Sequence, residues 1–109
     1  MGSKGSSHSA VFNFRTLPSG NKWLPRFAVY GDLGFQNEES LPFLTKDVLG
    51  QPNNHPLYDV IFHVGDMAYN LFERSGEQGH DFMRSIEKVA ARVPYMTCPG
   101  NHEEKSNFR

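Results

Sequence analysis

Three short apolar runs, two intervening helical stretches, and a glycine followed by an oxygen-bearing side chain after each run predict an α/β fold. The expected unit is a βαβαβ segment of parallel sheet whose loops share one rim. The chain has 109 residues, enough for one small domain with a modest core. Its 11 Lys and Arg against 12 Asp and Glu, without a basic run, exclude the electrostatic footprint of a nucleic-acid or membrane-surface binder. The apolar run Phe27 to Tyr30 is far shorter than the roughly 18 residues of a membrane span. Cys98 is the one cysteine, which excludes an internal disulfide and a cysteine-based zinc site.

Residues 1–10 are Gly/Ser-rich and read as a flexible start. Met1 to Ser6 formally fits the loose myristoylation pattern, although a tag remnant or an internal start is the preferred reading, and no signal peptide opens the chain. Val11 to Thr16 alternates apolar and polar side chains like an edge strand, and Pro18 to Asn21 breaks it. Trp23 and Leu24 are expected to pack where this strand meets the sheet.

The three apolar runs, Arg26 to Tyr30, Asp59 to Val64 and Val93 to Thr97, are the predicted strands, with Asp59 starting the second. Between the first two, Leu41, Leu44, Val48 and Leu49 recur at near-helical spacing, so a helix is predicted over Glu39 to Leu49, stopped by Gly50 and Pro52. Between the second and third, Phe82, Ile86, Val89, Ala90 and Val93 make one continuous helical face within Glu77 to Arg92. Such crossovers are nearly always right-handed, so the strands run parallel and their C-terminal ends point the same way.

Each strand is followed by a candidate site: Gly31-Asp32-Leu33-Gly34, Gly65-Asp66-Met67-Ala68-Tyr69 and Gly100-Asn101-His102-Glu103. Asp32, Asp66 and Asn101 are 34 and 35 residues apart, about one βα unit each, which places them at similar positions on the rim. A single Gly-Asp is a common turn, but three in register are not. Two carboxylates brought together repel unless a cation lies between them, so a metal site follows. Tyr69 joins as a ligand only to a strongly acidic metal, because its phenol ordinarily ionises near pH 10. Of Asn101 and His102, one can offer an oxygen to a second metal while the other faces substrate.

Taken together these blocks resemble the purple acid phosphatases, within the calcineurin-like metallophosphoesterases: GDxG at Asp32, GDxxY from Asp66 to Tyr69, and GNHE from Gly100 to Glu103. Gly34 and Tyr69 stand where most other members of the superfamily carry a histidine and lack the tyrosine. The resemblance implies that Asp32 and Tyr69 bind Fe(III), that Asp66 bridges, and that Asn101 binds a divalent iron, zinc or manganese. It implies that His102 contacts the phosphate of a phosphate monoester substrate, making it the catalytic and substrate-binding residue. It further implies that residues 1–24 hold the last strand of a preceding β-sandwich and residues 25–109 an incomplete catalytic domain. Two motifs, V-x-x-H and G-H-x-H, would follow Arg109. A secretory location also follows from the resemblance alone.

Three metal-binding histidines are absent, so this chain by itself is expected to have weak or no catalysis. A non-catalytic form retaining part of the metal site is the alternative. An open sheet edge predicts self-association. A phospho-acceptor domain of receiver type fits less well, because its third strand would end in a lone aspartate rather than Asn101-His102. His63, inside the second strand, reads as a core or supporting residue. His8, His55 and His80 are assigned to loops or termini, Cys98 to a buried strand end, and Glu103 and Glu104 to solvated or capping roles.

Overall fold

The computed structural model describes residues 8–34 and 39–104. The Met1 to Ser6 pattern and most of the Gly/Ser start lie outside the described residues. The elements run β1 (Phe27–Tyr30), α1 (Ser40–Leu49), a 3-10 turn (Pro52–Asn54), β2 (Val60–Val64), a second 3-10 turn (Glu73–Gly76), α2 (Glu77–Ala90) and β3 (Tyr95–Cys98). This is the predicted α/β order.

The sheet is parallel throughout, with strand order β1-β2-β3. Phe27 pairs with Val60 and Ile61 with Tyr95, so β2 is hydrogen-bonded on both sides. Ahead of the register, the backbone N–H of Arg26 donates to Asp59 Oδ2 at 2.7 Å. Asp59 therefore precedes β2 instead of starting it, with its carboxylate committed to Arg26.

Two crossovers that step the same way across a parallel sheet pass over the same face when they have the same hand. Leu44 and Val48 of α1 and Val89 of α2 accordingly share one core cluster with Ile61 and Val93. A second cluster of Leu33, Ala68, Phe82 and Ile86 sits toward the loops. Ile61 is fully buried at the centre. The opposite face is uncovered: Phe27, Val29, Val64 and Met96 are each more than half exposed. Cys98, expected to be buried, is exposed, because it ends β3 where neither helix covers it.

α1 accepts Pro42 in its first turn, where an N–H has no acceptor within the helix. It closes with the Gly50 N–H on Lys46 O at 2.8 Å. α2 ends at Ala90, two residues before the predicted limit, its last turn closed by Ala91 N–H on Glu87 O at 2.9 Å.

Residues 11–16 belong to no strand. Alternation alone does not hold a strand without a neighbouring ladder, and Val11 and Phe14 are 89% and 74% exposed. Leu24 is exposed rather than packed, and Trp23 turns back locally, its indole N–H donating to Gly20 O at 3.2 Å.

Candidate metal centre

The loops after β1, β2 and β3 meet at one rim. Asp32 N–H donates to Gly65 O at 3.2 Å and Gly34 N–H to Met67 O at 3.0 Å, tying the first loop to the second. His102 N–H donates to Asp66 Oδ1 at 2.9 Å, tying the third to the second. The equal sequence spacing thus becomes contact because the strands are parallel and in register.

The turns are sharp. Asp32, Asp66 and Tyr69 all have left-handed backbones, with φ of 54°, 53° and 39°. Aspartate tolerates this region, whereas a tyrosine there carries strain of about 1–3 kcal/mol, a pattern that concentrates at functional sites. Gly65 has φ +85°, and a Cβ on it would lie 2.7 Å from Gly100 Cα. Two glycines therefore let the second and third loops touch backbone to backbone.

The Tyr69 hydroxyl donates to Asp32 Oδ1 at 2.6 Å. That hydrogen bond, followed by partial burial and the charges of Asp32, Asp66 and Glu103, pushes the phenol up to about 12. Tyr69 therefore keeps its proton unless a cation replaces it. Its ring meets the edge of His102 with centroids 4.6 Å apart. His102 Nδ1 lies 2.9 Å from Asn70 Oδ1, and Asn70 Nδ2 donates to Glu73 Oε1 at 2.6 Å. The amide orientation leaves an oxygen facing His102, so Nδ1 carries the proton of that pair. Asn101 is exposed on the same loop. Asp32 and Tyr69 are thus in direct contact, Asp66 and His102 are joined through the His102 backbone, and Asn101 stands beside them without a side-chain hydrogen bond among the described residues.

Glu103 corrects the solvated reading. It is 6% exposed and its carboxylate accepts three backbone N–H groups: Asp66 at 2.9 Å, Met67 at 2.9 Å and Gly100 at 2.6 Å. Burial pushes its pKa up, but the N–H groups of Met67, Gly100 and Asp66 outweigh this and hold it below the ordinary value. Glu104 is exposed. Asn70 and Gln78 were not anticipated. Gln78 Nε2, on α2, donates to Ala68 O at 2.7 Å and Tyr69 O at 2.6 Å, supporting the tyrosine turn from below. Nothing in local sequence signals such a long-range bond, whereas Glu103 had its place three residues after a turn glycine as a clue.

His63 lies beneath the rim, fully buried. Tyr30 O–H donates to Tyr95 Oη at 2.8 Å, and Tyr95 Oη lies 2.8 Å from His63 Nδ1. His63 Nε2 is buried without a hydrogen-bond partner, a position costing about 1–3 kcal/mol for a polar group. Burial lowers the His63 pKa, outweighing the charges of Glu103 and Asp32 and the Asp66 backbone, which favour the protonated ring. His80, assigned to a loop or terminus, is on α2 and exposed, while His55 sits in a loop with Nδ1 3.0 Å from Pro56 O.

The donor chemistry at the rim suits a hard cation: two carboxylates, a phenol and an amide, all presenting oxygen. The proton shared by Tyr69 and Asp32 occupies a position a cation would take over. Among the described residues no group of three or more His, Cys, Asp and Glu gathers to hold a metal. The residues present fit part of a metal site. No helix among the described residues is long and apolar enough to cross a membrane.

Known proteins bear on this rim directly. Residues 25–109 match the family model described as calcineurin-like phosphoesterase. Acid phosphatase type 7 of Homo sapiens is 52% identical over 100 residues, covering 92% of this chain and 22% of that protein. Its Mus musculus counterpart is 47% identical over the same shares. A purple acid phosphatase isolated from yellow lupin (Lupinus luteus) seeds superimposes with a TM-score of 0.53 at 32% identity, over 72% of this chain and 15% of that one. The chain therefore spans about a fifth of the length of these acid phosphatases. With the matched region running from the start of the sheet through all three rim loops, the chain belongs to the calcineurin-like phosphoesterases, a family whose purple acid phosphatases imply a dinuclear metal centre.

Proposed function

We infer that these residues contribute one side of a dinuclear metal site that hydrolyses phosphate monoesters. The observation that carries the reading is the 2.6 Å hydrogen bond from Tyr69 to Asp32, on a rim where the Asp66 turn is bonded to both neighbouring loops. Asp32 and Tyr69 would hold Fe(III), Asp66 would bridge, and Asn101 would hold a divalent iron, zinc or manganese. When bound, the metals supply Lewis acidity toward the phosphoryl group.

The chain's own residues prepare that chemistry. Asn70 fixes the Nδ1 proton of His102, which leaves Nε2 as the ring nitrogen available to the phosphate. A cation held beside Asp32 would take the place of the Tyr69 phenol proton, so loading would release protons. Glu103 keeps Asp66 and Gly100 at fixed separation, which would orient the Asp66 carboxylate toward the metals.

The test is hydrolysis of an aryl phosphate at acidic pH by the protein as expressed from its gene. Asp66→Ala should lower kcat/KM by on the order of 10³-fold. Full activity in that variant overturns the assignment. A non-catalytic metal- or phosphate-binding form is the second reading. It predicts at most weak metal uptake in equilibrium dialysis and no turnover.

A further inference from the structure

His63 is a polar ring in a place where packing asks for none. It stacks among Tyr30, Phe82 and Tyr95 with centroid separations of 4.9, 5.9 and 5.9 Å, and a phenyl ring would fill the same slot without burying an unpaired nitrogen. The hydroxyl pair bears on which nitrogen carries the proton. Tyr95 Oη lies 2.8 Å from both Tyr30 Oη and His63 Nδ1, so with Tyr30 donating to it Tyr95 has its own proton to give to Nδ1. In the neutral ring the remaining proton is then on Nε2. The ring lies three residues before Asp66 in the chain, and the groups that act on it are the Asp66 backbone and the carboxylates of Glu103 and Asp32, all belonging to the rim.

We propose that His63 is a positioning residue for the metal site, with its Nε2–H, set by the Tyr30–Tyr95 hydroxyl pair, reserved as a donor to the Asp66 turn in the cation-loaded state. The inference rests on the metal-site reading above. It assigns no contact between His63 and a metal, since the ring acts through the turn that carries Asp66. Such supporting hydrogen bonds commonly govern metal affinity.

The test uses the protein as expressed from its gene, stripped of metal and titrated with Mn²⁺ alone, with calorimetric affinity and the ¹⁵N shift of His63 Nε2 as readouts. His63→Gln places an amide nitrogen near the Nε2 position, whereas His63→Asn reaches only the Nδ1 position. His63→Asn and His63→Phe should weaken Mn²⁺ binding by about 10–100-fold, and His63→Gln should restore most of it. The wild-type Nε2 resonance should move on loading. Circular dichroism restricts the comparison to folded variants, and the Gln/Asn pair stands even if the Phe variant does not fold. Equal affinity in Gln and Asn variants, or wild-type affinity in His63→Asn, overturns the proposal while leaving the metal site intact. Failure of the wild type to bind Mn²⁺ overturns both.

Discussion

The carboxylate of Glu103 accepts hydrogen bonds from the backbone of Asp66 at 2.9 Å, across 37 residues of sequence. With Met67 and Gly100 it also receives two more, so one buried side chain bolts the second loop to the third. The geometry of the rim therefore depends on a residue with no place among the proposed ligands.

Replacing that carboxylate should expose its importance as stability. Glu103→Ala leaves three buried N–H groups without an acceptor and is expected to cost about 3 kcal/mol, read from urea denaturation midpoints. Glu103→Gln keeps one acceptor oxygen and should cost less. A Glu103→Ala variant as stable as the wild type would mean the loops are held by their backbone contacts alone.

Tyr69 gives a spectroscopic prediction. Because its phenol is pushed up to about 12, the metal-free protein holds it protonated at neutral pH, and Fe(III) loading must displace that proton. Loading should produce a visible absorption band and release protons, measured by calorimetry in buffers of different ionisation enthalpy. Tyr69→Phe should lose the band and release about one proton fewer, while stability in the metal-free state changes by less than about 1 kcal/mol because the pair is exposed. An unchanged band would remove Tyr69 from the ligand set.

Acid should weaken the metal-free fold in two stages. His63 and Glu103 both have pKa values below their ordinary 6.5 and 4.5, so the unfolded chain binds more protons than the folded one once pH drops below those values. Stability is fully present above about 6.5, declines as His63 is driven toward protonation, and declines again below about 4.5 as Glu103 loses its charge. Urea midpoints across this range check the sign, and His63→Phe should remove the upper step alone. A rising midpoint on acidification would contradict both environments.

Much of this protein was legible in one dimension. The strand–helix alternation, the helical face of Phe82, Ile86 and Val89, and the even spacing of Asp32, Asp66 and Asn101 all report local periodicity or chain length, which a sequence carries directly. Parallel pairing then converts that spacing into one rim. The Val11 to Thr16 alternation forms no strand here for the complementary reason, since a strand exists only where another strand receives its hydrogen bonds, and none among the described residues lies beside it.

What only the tertiary structure decided was which groups share a buried space. Glu103 reads like any acid near a chain turn until the Asp66 and Gly100 N–H groups close around it, and Gln78 supports Tyr69 only because α2 passes beneath that turn. Cys98 is exposed because both helices cover the other part of the sheet, while His63 is buried with one nitrogen unpaired because they cover its side. Residue type sets the chemistry a side chain can perform. Its partners, and hence its charge and role, depend on contacts between segments distant in sequence, which no local pattern encodes.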